Sequence, residues 1–132
     1  MKNFHCILLV DDDETSNFIS RRMINSLSLA EHTHQAINGK EAIDFLLDKC
    51  MKASMSLCPE VVFLDINMPV MNGLEFLSEF SKYDQKLPHV PEIFILTSSN
   101  NPDDRAFTDK FSMVKGYINK PLTIEKLKDQ FD

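Results

Sequence analysis

CILLVDDDE occupies residues 6–14. Cys6 to Val10 are apolar without a break, and Asp11, Asp12 and Asp13 follow at once. A short run that is apolar on both faces fits a strand inside a parallel sheet, where neither face meets water. The design recurs. VVFL, residues 61–64, ends on Asp65, and IFIL, residues 93–96, ends on Thr97. After each strand the apolar residues change to helical spacing. Phe18, Ile19, Met23, Ile24 and Leu27 follow the first, with Thr15 or Ser16 as candidate cap. Leu74, Phe76, Leu77 and Phe80 follow the second.

The remaining elements are weaker. His32 to Ile37 is a polar strand suited to a sheet edge, and Asn38-Gly39 turns the chain into a helix carrying Ala42, Ile43, Leu46 and Leu47. Cys50 to Pro59 has no clear period. Pro102 suits the first turn of a helix, where its missing N–H costs nothing. Gly116 to Ile118 is a short strand, and Thr123 to Phe131 a last helix. Strand and helix alternate five times. Short connections in such a chain imply a parallel sheet covered on both faces, wound by right-handed crossovers into a doubly wound α/β fold. In that architecture the functional site lies beyond the carboxyl ends of the strands.

The length, 132 residues, suits a single domain spanning 1–132. A net charge of −6 argues against general binding to nucleic acid or to anionic membranes, which favour basic surfaces. No window reaches the length of a membrane span and no signal peptide is recognisable, so a cytoplasmic protein is expected. Cys6, Cys50 and Cys58 lack metal-ligand spacing and are expected to be reduced thiols. His5, His32, His34 and His89 are scattered through the sequence and are not expected to be metal ligands or phosphoryl donors. Met51, Met55, Met68, Met71 and Met113 read as loop or core fillers.

The strand ends carry the chemistry. The fold would gather Asp11, Asp12, Asp13, Asp65, Thr97 and Lys120 at one edge of the sheet. Clustered carboxylates repel, and a cation is the simplest remedy. Oxygen donors at a partly hydrated site suit Mg²⁺. A lysine and a hydroxyl beside such a cluster can hold the other oxygens of a phosphoryl group, which is what phosphoryl transfer to a carboxylate requires.

ILLVDDDE (7–14), FLDINMPVMNG (63–73), ILTSS (95–99) and INKPL (118–122) resemble, in that order, the motifs of receiver domains of two-component response regulators. The resemblance covers nearly the whole chain and implies a flavodoxin-like sheet of order 2-1-3-4-5. It implies Asp65 as phosphoacceptor, Asp12 as a direct Mg²⁺ ligand, Asp11 as a ligand acting mostly through water, and a backbone carbonyl from Asn67. It makes Lys120 the partner of Asp65, Thr97 the switch hydroxyl and Tyr117 the switch aromatic. A cis bond before Pro121 is part of the pattern. The expected donor is a sensor histidine kinase or histidine phosphotransfer protein. The expected target is a protein docking on the face of helix 4, strand 5 and helix 5. No output domain follows residue 132, so a stand-alone receiver of the chemotaxis type is expected, without a separate substrate.

Asp13 departs from the usual acidic pair and is read as a solvated first-turn acid. It also opens a rival reading. Asp11-Asp12-Asp13-Glu14-Thr15 resembles the D-x-D-x-T motif of haloacid-dehalogenase-type phosphatases, with Asp11 as nucleophile and Asp13 as acid/base. Such enzymes need a further acidic pair after the lysine, and only Asp129 and Asp132 remain.

Overall fold

Successive residues of a strand point to opposite faces, and the first strand divides its side chains accordingly. Ile7 and Leu9 join one apolar cluster, with Ile24, Phe63, Phe94 and Leu127. Leu8 and Val10 join another, with Ala42, Leu46, Phe76 and Phe80. Two cores on two faces of one strand require helices on both sides, which is the expected layering.

The structure is a computed structural model. It describes residues 3–51 and 57–132. Its elements run β1 (Phe4–Val10), α1 (Glu14–Ser26), β2 (Ala30–Ala36), α2 (Gly39–Cys50), β3 (Val61–Leu64), α3 (Gly73–Phe80), β4 (Glu92–Thr97), α4 (Pro102–Thr108), β5 (Val114–Asn119) and α5 (Ile124–Phe131). A 3₁₀ turn at Asp84–Lys86 lies between α3 and β4. The strands form one sheet of order β2-β1-β3-β4-β5. Every neighbouring pair is parallel. Helices α1 and α5 contact each other, as do α2 and α3, and α3 and α4. Burying each of Phe63, Phe76 and Phe80 contributes about 2–3 kcal/mol.

Three sequence expectations are corrected. Helix α1 is capped by Asp13, not by Thr15 or Ser16. Asp13 has an extended backbone, and its carboxylate accepts the Thr15 N–H at 3.0 Å. Strand β2 runs Ala30–Ala36 rather than His32–Ile37; as expected it lies at the sheet edge, paired only to β1. The cysteines are not all free: Cys50 at the end of α2 is bonded to Cys58 ahead of β3, leaving Cys6 as a buried thiol. Cys50 and Cys58 are eight positions apart, but the end of α2 and the approach to β3 bring their Cα atoms within 4.7 Å. The unperiodic stretch expected over 50–59 falls partly on 52–56, outside the described residues, as does Met55. Met113 is core and Met68 and Met71 pack against it, while Met51 is exposed.

Candidate functional site

All five strands point their carboxyl ends one way, so the residues that terminate them meet at one edge. Asp11 follows β1, Asp65 follows β3, Thr97 ends β4 and Lys120 follows β5. Each is fixed locally. The Asp65 N–H donates to Val10 O at 2.9 Å and the Asp11 N–H to Ala36 O at 2.9 Å, continuing the sheet ladder past its formal ends. The Lys120 N–H donates to Thr97 O at 3.0 Å, and the Lys120–Pro121 bond is cis, as the resemblance implied.

Gly73 and Asn72 shape the loop after Asp65. A Cβ on Gly73 would sit 2.3 Å from Asp65 O, so only glycine permits this approach. Asn72 caps α3 in a reciprocal box with Glu75, which fixes where the loop ends.

The charged groups converge. Lys120 Nζ lies 2.7 Å from Asp11 Oδ2 and 3.2 Å from Asp65 Oδ2. Oxygens of Asp11, Asp12 and Asp65 all lie within 4.8 Å of one another. Asp11 and Asp65 are buried and Asp12 is exposed. Three carboxylates thus face one ammonium. Asp11 Oδ2 is buried and faces Lys120 in an ion pair at 2.7 Å. A buried anionic oxygen with spare lone pairs, beside two more carboxylates, is a donor set suited to a hard divalent cation.

Electrostatics follow from the same geometry. Burial, and then the neighbouring Asp11, raise the Asp65 carboxyl above its ordinary 3.8, while Lys120 and the Thr97 hydroxyl pull it back. Burial alone would lower Lys120. The close approach of Asp11 and the charges of Asp65 and Asp11 outweigh it, and the ammonium is held above its usual 10.5.

Thr97 is fully buried, and its hydroxyl accepts the Ser99 N–H at 3.2 Å. Tyr117 sits farther out on β5, half-buried, and its hydroxyl donates to Ser99 O at 3.2 Å. Asn67 is exposed in the loop after Asp65. Thus Asp11, Asp12, Asp65, Thr97 and Lys120 are brought together, and Tyr117 is linked to them through Ser99. Two supporting residues were not expected from sequence. Asn17 is buried on α1 and donates to Asp11 O at 2.9 Å. The Arg105 guanidinium lies 5.2 Å from the Tyr117 ring centroid. Neither carries a motif; only the packing of α1 on β1 and of α4 on β5 reveals them.

Comparison with known proteins agrees with this geometry. The response regulator receiver domain family matches residues 7–132. The chain is 32% identical to the probable methanogenesis regulatory protein FilR2 of Methanothrix harundinacea, over 92% of this chain and 76% of that protein. It is 29% identical to chemotaxis protein CheY-3 of Vibrio cholerae, over 96% of this chain and 88% of that one. A solved two-component response regulator from Cytophaga hutchinsonii superposes with a TM-score of 0.85 at 29% identity, covering 98% of this chain and 96% of its own. Other curated relatives are far longer, and the chain spans as little as 14% of one of them. The phosphatase reading finds no support among these proteins, and the Asp13 carboxylate it needs as acid/base is engaged in capping α1. With the family matched from β1 to the last residue and the strand-end acids and lysine gathered as its motifs imply, the chain belongs to the receiver domains of two-component response regulators, which act in signalling as phosphoacceptors.

Proposed function

We propose that Asp65 is the phosphoacceptor, and that the chain is a single receiver domain over 1–132 with no separate substrate. The observation that carries this is the position of its carboxylate, buried 3.2 Å from Lys120 Nζ and within reach of Asp11 and Asp12. An oxygen of Asp65 attacks phosphorus on a phosphohistidine. The P–O bond forms as the P–N bond breaks, and the electron pair returns to the imidazole. Lys120 offsets the charge gathering on the phosphoryl oxygens. The product is an acyl phosphate, and attack by water on its phosphorus restores the carboxylate.

Receiver domains are generally Mg²⁺-dependent, and the acidic cluster fits that ion. Asp11, Asp12, Asp65 and the Asn67 carbonyl would hold it. When bound, Mg²⁺ supplies neutralisation of the carboxylate cluster and of the incoming phosphoryl group.

Receiver domains engage histidine kinases and downstream targets. For this chain the target is proposed to dock on the face of α4, β5 and α5. Thr97 would move toward the new phosphoryl oxygens, and Tyr117 would repack into the space it leaves. The support is the chain of contacts from Thr97 through Ser99 to Tyr117 and Arg105. The cytoplasm is the proposed location. No helix among the described residues is long and apolar enough to cross a membrane. Disulfides such as Cys50–Cys58 are uncommon in that compartment.

The test is direct. Chain incubated with acetyl phosphate and Mg²⁺ should gain one hydroxylamine-labile phosphoryl group by intact mass, and EDTA should prevent it. Asp65→Asn should gain none. Labelling that survives in Asp65→Asn, or that maps to Asp11, would overturn the assignment.

A further inference from the structure

At the opposite end of the sheet from Asp65, near the starts of β1 and β2, three metal-binding side chains converge. The register pairs Phe4 with Ala30 and Cys6 with His32, which sets His5 across from Glu31. His5 Nδ1 lies 2.5 Å from Glu31 Oε2. The His5 and His32 rings meet edge to face with centroids 5.3 Å apart. One donor atom from each of His5, Glu31 and His32 lies within 4.8 Å of the other two, and all three residues are exposed. Nothing in the sequence suggests this, because His5 and Glu31 are 26 positions apart. Pairing of β1 with β2 sets His5 beside Glu31, and the ring contact with His5 brings in His32.

We propose that His5, Glu31 and His32 form a Zn²⁺ site distinct from the Asp65 cluster. The donor set decides the ion. Two imidazoles and one carboxylate suit borderline metals such as zinc, whereas Mg²⁺ takes oxygen. At a zinc–ligand distance of about 2.0–2.1 Å, donors at the corners of a tetrahedron stand about 3.3 Å apart. His5 and Glu31 therefore open by under about 1 Å to admit the ion, and His32, whose donor atom lies within 4.8 Å of both, completes the set. Exposed side chains make such adjustments by small rotations. Glu60 favours a cation nearby: its carboxylate accepts the His5 backbone N–H and adds negative charge beside the ring. Three protein ligands leave a fourth position for water.

The consequence is mechanical. β2 is an edge strand in which only Ala36 is buried, so little apolar packing holds its first half to β1. An ion bonded to His5 on one strand and to Glu31 and His32 on the other ties that half down. The two cation sites differ in chemistry and lie at opposite ends of the sheet, so each can be tested with the other filled.

The experiment uses tag-free chain in saturating Mg²⁺, titrated with ZnCl₂ by calorimetry. One Zn²⁺ per chain is expected, with a melting temperature that rises with zinc concentration. His5→Ala and His32→Ala should each weaken binding by about 10-fold or more, as loss of a ligand must cost at least what loss of an outer-shell partner does. Glu31→Gln should weaken it while keeping the side chain's size. Asp12→Asn should leave zinc binding unchanged. All three residues are exposed, so the variants should fold, which retained phosphoryl labelling of Asp65 would verify. No zinc uptake by the wild type, or uptake undiminished when both histidines are replaced, would overturn the proposal.

Discussion

At the residue scale the molecule turns on one carboxyl group in an unfavourable place. Asp65 is buried beside Asp11, and both effects raise its proton affinity above the ordinary 3.8. Lys120 offsets part of this through one ammonium shared between two acids. The sign for stability follows. A raised carboxyl in the folded state binds protons that the unfolded state has released. Stability therefore falls as pH rises from the ordinary carboxylate range through the raised value, and the penalty is fully present above it. The charge that Asp65 needs for its proposed role as nucleophile thus costs the fold stability when no cation is bound. Asp65→Asn should stabilise the EDTA-treated chain at pH 7.5 by on the order of 1 kcal/mol. The gap should shrink as pH falls toward 4. Urea unfolding of both proteins at several pH values checks this, and a variant less stable than wild type at pH 7.5 would contradict it.

At the scale of elements, legibility followed burial. β1, β3 and β4 are central strands, apolar on both faces, and their sequences CILLV, VVFL and IFIL announce them. β2 and β5 are edges, with polar residues mixed in, and from sequence each starts two residues late and misses its end by one. The start of β1, where polar His5 interrupts the apolar run, was also read two residues late. The gathering of Asp11, Asp65, Thr97 and Lys120 at one edge was legible for the same reason as the central strands, since these residues sit at or just past the strand ends. Caps were harder, because Asp13, Thr15 and Ser16 all suit an N-cap and only backbone geometry chose Asp13. The Cys50–Cys58 bond and the His5–Glu31–His32 cluster were illegible, since both arise when separate elements are placed side by side. Asn72-Gly73 read as a chain break, but its physical content is closer contact. The missing side chain of Gly73 lets α3 begin against the backbone of Asp65. Gly73→Ala should therefore lower stability by about 2–3 kcal/mol through overpacking. It should also slow phosphoryl labelling, because the displaced backbone carries Asp65, the proposed phosphoacceptor. Normal stability together with a normal labelling rate would show that the loop yields without consequence.

At the scale of the whole molecule, one sheet separates two apolar cores, and its carboxyl edge touches both through the strand ends. A bond made at that edge can be felt on a distant face only if some group links them and has two arrangements. The contacts offer such a link. Thr97 accepts from the Ser99 N–H, Ser99 O accepts from the Tyr117 hydroxyl, and Arg105 lies over the Tyr117 ring. Ser99 Oγ also donates to Asp104 on α4 at 2.9 Å. Movement of Thr97 would disturb the Ser99 turn, and with it the tyrosine and the start of α4. Shifting such an equilibrium from 1:10 to 10:1 takes a differential of about 2.7 kcal/mol, within what a few charge-assisted hydrogen bonds to a phosphoryl group supply. Beryllofluoride with Mg²⁺, a mimic of the acyl phosphate, should therefore change amide hydrogen exchange in α4 and β5 as well as around Asp65. In Thr97→Ala the change near Asp65 should persist while the change in α4 and β5 falls to a small fraction of the wild-type effect. If α4 and β5 respond equally in the two proteins, the signal travels by a route that bypasses Thr97, and its hydroxyl serves the phosphoryl group alone.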